Sequence, residues 1–190
     1  MREDGPVLES FCAVVLAGGR AARLGGVDKA SVEVGGRTLL AHALDAVVDA
    51  AEVVVVGDPV PAERPVTFVR EDPRHGGPVA ALLTGRDALL RRAPTLAVLA
   101  VDMPHVTPWT IRRLHEAAAG RDGAALHDPD GRRQLAMVLD LARLDAVRPD
   151  HEQQHGAALH RLLAPLDLAG VTAEGREHRD LDTWADLRDL

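Results

Sequence analysis

Tyrosine is absent from this chain, and only two phenylalanines, two tryptophans and one cysteine occur among its 190 residues. So few aromatic rings leave no series of stacking platforms for single-stranded nucleic acid. The formal net charge of -7 supplies no basic footprint for DNA or RNA either. A single cysteine, Cys12, excludes an intramolecular disulfide and a cysteine-rich metal site. Because Cys12 lies inside an apolar run, it reads as a buried structural thiol. No apolar run approaches the roughly 20 residues that a membrane-spanning helix needs. The opening MREDGPVLES is acidic rather than signal-like. These absences lead us to expect a cytoplasmic protein with no nucleic-acid and no membrane partner.

What is present is 46% apolar residues, so the core must be built mainly from Val, Leu and Ala. The length favours one compact domain over residues 1–190. Short apolar runs alternate with longer amphipathic segments. Phe11–Ala17, Glu52–Val56 and Thr95–Val101 read as buried strands, with Val66–Val69 a weaker one. Thr38–Ala50 and Val79–Arg91 carry helical spacing. Thr107 followed by Pro108 reads as the N-cap and first turn of a third helix, Thr107–Ala119. Gly123–His127 and Gln134–Asp140 read as strands joined by the turn HDPDGRR, a hairpin-like insertion, and Gly156–Leu163 as a further helix. The alternation predicts an α/β fold, a mostly parallel sheet with helices on both faces. Ligands of such sheets bind beyond the carboxyl ends of the strands.

Three stretches sit at those ends. The first, LAGGRAARLGGVDKAS (Leu16–Ser31), follows a strand and is rich in glycine and positive charge. It is not a P-loop, since no Gly precedes Lys29 and Ala30 follows it; its paired glycines also break the dinucleotide fingerprint G-x-G-x-x-G. Gly18 and Gly19 let backbone N–H groups approach oxyanions. Arg20, Arg23 and Lys29 can supply charge to a triphosphate and to its leaving group. The second stretch is VDMPH, where Asp102 ends an apolar strand and Pro104 stops the ladder. A carboxylate there can hold Mg²⁺, which favours oxygen ligands and substrate phosphates. The third is EDPRHGGPVAAL, with Asp72 at a strand end and Gly76-Gly77-Pro78 opening a helix.

Together, LAGG…R…GG.DKA, D….GGP..AL, DMP and the terminal DLDTWADL resemble the MobA-like NTP transferase family of molybdenum cofactor guanylyltransferases. The resemblance implies a Rossmann-like nucleotidyltransferase fold. It implies GMP transfer from GTP to the phosphate of molybdopterin or molybdenum cofactor, with Mg²⁺ required and pyrophosphate released. Carried over by motif position, Leu16, Ala17, Gly18 and Gly19 would touch the nucleotide and Lys29 its phosphates. Asp72 and Gly77 would lie near base and ribose, Asp102 would hold Mg²⁺, and Arg23, Lys29 and Asp102 would be the catalytic set. Asp182, where family members often have Asn, would join Asp102 at the metal or serve as the N-cap of a final helix. The resemblance also implies transient contact with other proteins of cofactor biosynthesis. Three positions depart from the family pattern: Leu24 for Met, Asp58 where an Asn is common, and Ala81 where Gly is common. Two alternatives remain open at this level, a transferase of different specificity (CTP or another phosphorylated acceptor) and a non-catalytic nucleotide binder. HEQQH (His151–His155) also satisfies the zinc pattern H-E-x-x-H, although the spacing to His160 does not extend it.

Overall fold

The computed structural model describes residues 10–18 and 28–181. Its centre is the strand β1 (Phe11–Leu16), every residue of which is buried. β1 pairs in parallel with β4 (Glu52–Val56) on one side and with β6 (Thr95–Ala100) on the other. A strand hydrogen-bonded on both edges and covered on both faces must be apolar throughout, as FCAVVL is. β2 (Glu33–Val34) and β3 (Arg37–Thr38) form a small separate hairpin. β5 (Thr67–Val69) lies outside β4, and beyond β6 come β8 (Arg133–Asp140), β7 (Gly123–His127) and β9 (Leu168–Thr172). The order of the seven-stranded sheet is β5-β4-β1-β6-β8-β7-β9, with β8 antiparallel to its neighbours. The β7–β8 hairpin, expected as an insertion, is built into the sheet, because β8 pairs with β6 along Thr95–Leu99.

Alternate residues of the strands face opposite layers. Ala13, Val15, Val53, Val55, Ala97 and Leu99 pack under α1 (Leu39–Ala46) and α3 (Pro108–Ala118). Cys12, Val14, Val54, Val56, Leu96 and Val98 pack under α2 (Pro78–Asp87), α4 (Leu141–Val147) and α6 (Leu159–Leu163). Each of the Val and Leu side chains contributes about 1.5–3 kcal/mol on burial. Gly85 lets α2 settle on the sheet: a Cβ there would stand 2.6 Å from Val14 Cγ1.

Helix boundaries are set by competing hydrogen bonds. Thr107 caps α3 as expected, accepting from the Thr110 N–H while the Thr110 hydroxyl accepts from Thr107 N–H. α1 stops at Ala46, short of the expected Ala50, because the chain turns so that Ala51 N–H can bond to Phe11 O at 2.8 Å. α2 stops at Asp87 rather than Arg91, since the N–H groups of Leu90 and Arg91 donate to the Glu52 carboxylate instead. Gly156 has φ +69 and bonds its N–H to Gly76 O, so α6 begins only at Leu159. His151–Gln154 form a single turn, α5, and His155 is already extended (φ -63°, ψ 120°). The two histidines of HEQQH therefore do not share a helix face, which removes the geometry the zinc pattern requires.

Candidate active site

Hydrogen bonds just past the strand ends align one edge of the sheet. Ala17 and Gly18 both donate to Val56 O at 2.9 Å, Val101 donates to Leu16 O at 3.0 Å, and Gly57 donates to Val69 O at 2.8 Å. The chain thus leaves β1, β4, β5 and β6 along a common carboxyl edge, where a cleft of about 710 Å³ opens. Its floor is Leu16, Gly18, Val56, Gly57, Ala100 and Val101, and its sides carry Lys29, Asp102, Asp58, Arg70, Glu71, Arg74 and His75. Gly77, Pro78 and Ala81 close it from the start of α2. A crevice where connections leave a central strand in opposite directions is where doubly wound sheets take ligands.

Lys29 and Asp102 meet at this edge although 73 residues separate them: Nζ to Oδ2 is 2.8 Å, with side chains 15% and 20% exposed. Lys29 opens a turn of 3-10 helix, Lys29–Ser31, capped by the Asp28 carboxylate, which accepts from Ala30 N–H at 2.9 Å. Burial of Ala30 and Val32 in the layer under α1 fixes that turn, and Val32 O accepts from Leu39 N–H at 2.8 Å. Asp102 stands in the turn two residues past the end of β6, and its carbonyl accepts from the N–H of buried Leu181 at 2.9 Å. The segment leading to Leu181 is itself clamped by Glu177, which is 6% exposed. Its carboxylate accepts from Thr110 Oγ1, Arg113 Nη1 and Glu174 N–H. In the following turn burial lowers the His105 pKa, helped by the positive charges of Arg176, His42 and Arg179. A neutral imidazole therefore adjoins the Asp102 segment near neutral pH.

On the far side, Arg70 Nε donates to Asp58 Oδ1 at 2.7 Å. His75 has φ +58 and places Nδ1 4.0 Å from Glu71 Oε1. Gly76 and Gly77 are required by the turn into α2. A Cβ on Gly76 would stand 2.6 Å from Pro73 O, and Gly77 has φ +88, which L side chains rarely adopt.

Leu16, Gly18, Lys29, Gly77 and Asp102 are thus brought to one cleft, with Ala17 buried beside its floor. Gly19, Arg23 and Asp182 lie outside the described residues. Asp72, expected near base and ribose, does not line this cleft. Its side chain lines a neighbouring depression of about 490 Å³, where Oδ2 lies 3.2 Å from His151 Nε2. Its neighbour Glu71 faces the cleft instead. Glu71, Arg70 and Arg74 were missed in the sequence. Adjacent residues leaving a strand point to opposite sides, and nothing in the pair Glu71-Asp72 says which side is which.

Comparison with known proteins bears on this geometry. The family model of the MobA-like NTP transferase domain matches residues 13–173, which include most of β1, Lys29 and Asp102. The chain belongs to that family. A molybdenum cofactor guanylyltransferase of Acidiphilium cryptum is 43% identical over 113 residues, 56% of this chain and 58% of that protein. The chain spans little more than half the length of the first such relatives. A molybdenum cofactor guanylyltransferase of Cereibacter sphaeroides is 33% identical over 82% of this chain and 92% of its own length. Among solved structures, molybdopterin-guanine dinucleotide biosynthesis protein A from Archaeoglobus fulgidus superposes with a TM-score of 0.68. At 20% identity over 93% of this chain and 95% of that one, it shows the shared fold. The family's description as NTP transferases suits a cleft with Gly18 and Gly57 on its floor and a lysine and an aspartate on its wall.

Proposed function

We propose that this protein transfers GMP from GTP to the terminal phosphate of molybdopterin or molybdenum cofactor, releasing pyrophosphate. The observation that carries the reading is the Lys29–Asp102 pair at 2.8 Å on the wall of the strand-end cleft. An acceptor phosphate oxygen attacks the α-phosphorus of GTP, an O–P bond forms, and the bond to pyrophosphate breaks with its electron pair leaving on oxygen. The acceptor is already an oxyanion, so positioning and charge neutralisation dominate and no strong general base is needed. Lys29 turns from Asp102 toward the phosphates and stabilises charge on the departing pyrophosphate.

Asp102 is a hard oxygen donor at a partly exposed strand end, a donor type that fits Mg²⁺ bound jointly by one carboxylate and substrate phosphates. When bound, that ion would neutralise phosphate charge and orient the reacting oxygens. In this reading Leu16, Ala17, Gly18 and Gly19 line the nucleotide, Arg23 acts in catalysis with Lys29 and Asp102, and Gly77 admits the ribose. Asp182 joins Asp102 at the metal, a reading supported by the bond that holds its chain neighbour Leu181 to the Asp102 carbonyl. The chain would act as one domain in the cytoplasm, and among the described residues no helix is long and apolar enough to cross a membrane.

A second reading, CMP transfer, is favoured by one feature: Asp58 and Ala81, which depart from the guanylyltransferase pattern, both line the cleft. Pyrophosphate release separates the two. The protein is incubated with molybdopterin, Mg²⁺ and each nucleoside triphosphate in turn. Release with GTP above CTP is expected; release with CTP alone would establish the second reading, and tight binding without release would make the protein a binder.

A further inference from the structure

The cleft carries the Lys29–Asp102 pair at one end and, three strands away, a second group of charged side chains. Lys29 and Asp102 stand at the β1–β6 side, whereas Arg70 and Glu71 follow β5, the opposite edge strand of this half. Strands lie about 4.8 Å apart, so the two ends are separated by roughly 14 Å along the sheet edge. That is the span of a nucleotide laid across β1 and β4, phosphates at one end and base at the other.

Two carboxylates wall the base end. Asp58 is committed to Arg70 at 2.7 Å, and its side chain is 68% exposed. Glu71 is only 27% exposed, and its neighbour His75 stays at 4.0 Å, beyond hydrogen-bond reach. Glu71 is therefore the sheltered carboxylate with accepting capacity directed at a ligand. Of the four ribonucleotide bases, only guanine carries two adjacent N–H donors, N1–H and the N2 amino group, on its pairing edge. Cytosine and adenine place an acceptor nitrogen beside their single amino group, and uracil flanks one N–H with two carbonyls. A carboxylate that accepts from both neighbouring donors thus selects guanine, and a bidentate, charge-assisted pair is the strong form of this contact. Arg74, on the same wall, supplies a donor suited to the guanine O6 and N7 acceptors.

Building on the proposed use of GTP, we infer that Glu71 is the residue that reads the base, its carboxylate gripping the N1–H and N2 amino edge of guanine. It does so from the strand-end position adjacent to Asp72, and it makes the site guanine-selective despite Asp58 and Ala81.

The test is equilibrium binding by calorimetry, without acceptor, of GTP and of inosine triphosphate, which lacks only the N2 amino group. Wild-type protein should bind GTP about 10- to 100-fold more tightly, the loss expected when a hydrogen bond to a charged group is removed. Glu71→Gln offers one accepting oxygen and one donating amide, so its ratio should fall to near 1 while its melting temperature stays close to wild type. A wild-type ratio near 1, a ratio unchanged in Glu71→Gln, or a ratio that collapses in Asp58→Asn but not in Glu71→Gln would each overturn the inference. The wild-type comparison stands even if the variant fails to fold. Because no acceptor is present, selective GTP binding with no pyrophosphate release on adding molybdopterin would sink the proposed function while leaving this inference intact.

Discussion

Replacing Glu177 with alanine perturbs a largely buried ion pair that leads back to the site. The Glu177 side chain is 8% exposed and the Arg113 side chain 13%, so both ions are largely out of water. Glu177 accepts from Thr110 Oγ1 at 2.5 Å, from Arg113 Nη1 at 3.0 Å and from Glu174 N–H at 2.7 Å. Removing one partner of such a pair leaves an uncompensated charge, a loss of about 3–5 kcal/mol. For a chain of this size, each kcal/mol moves the melting temperature by about 2–4 °C, so the expected drop is roughly 6–20 °C. Glu177→Gln keeps the shape and one strong acceptor, and should lose about half as much. Differential scanning calorimetry at pH 7 reads both variants. The loop from Glu174 to Leu181 also delivers the N–H that bonds to Asp102 O, so Glu177→Ala should lower turnover more than it weakens nucleotide binding. A melting temperature within 2 °C of wild type would refute the account, because no buried carboxylate so fully bonded can be removed without that cost.

Asp102→Ala should abolish pyrophosphate release in a coupled phosphate assay while the fold, read by circular dichroism, persists; near-normal turnover would dismiss Asp102 as the metal carboxylate. Gly76→Ala should cost about 1–3 kcal/mol in urea unfolding, since its Cβ would stand 2.6 Å from both Pro73 O and Ala80 Cβ. His115, half-buried against Phe11 with ring centroids 4.6 Å apart, has its pKa lowered by desolvation. The unfolded chain then binds more protons, so stability is fully present above the ordinary histidine pKa of about 6.5 and falls as pH drops toward the lowered folded value. Melting temperatures between pH 5 and 8 should rise more steeply for wild type than for His115→Leu; parallel curves would exclude His115 as the cause. The Asp87 pKa is lowered by its hydrogen bonds from Arg148, so that pair stabilises above the unfolded aspartate pKa and is lost at strongly acid pH. Arg148→Ala should flatten the acid limb of the same profile.

Much of the fold was legible because periodicity is a local property. The buried runs FCAVVL and TLAVLA read as buried strands and proved to be so, and Thr107-Pro108 marked the start of α3 to the residue. β9 and the β2–β3 hairpin were not legible. β9 is half-exposed and alternates weakly, and two-residue strands leave no pattern. The ends of α1 and α2 were overestimated because the bonds that stop them come from Phe11 and from Glu52, distant in sequence.

By itself the sequence determined the kind of site: glycines after the first strand, Lys29 beyond them, and an aspartate closing another apolar strand. Those residue types carry their chemistry wherever they stand. Only the tertiary structure decided which of them meet. It set Lys29 against Asp102 across 73 residues, tied Leu181 to the Asp102 carbonyl, and turned Glu71 into the cleft while Asp72 faced His151. The physical reason is that strand order and the alternation of side chains at a strand end belong to the assembled sheet, and no single segment contains them.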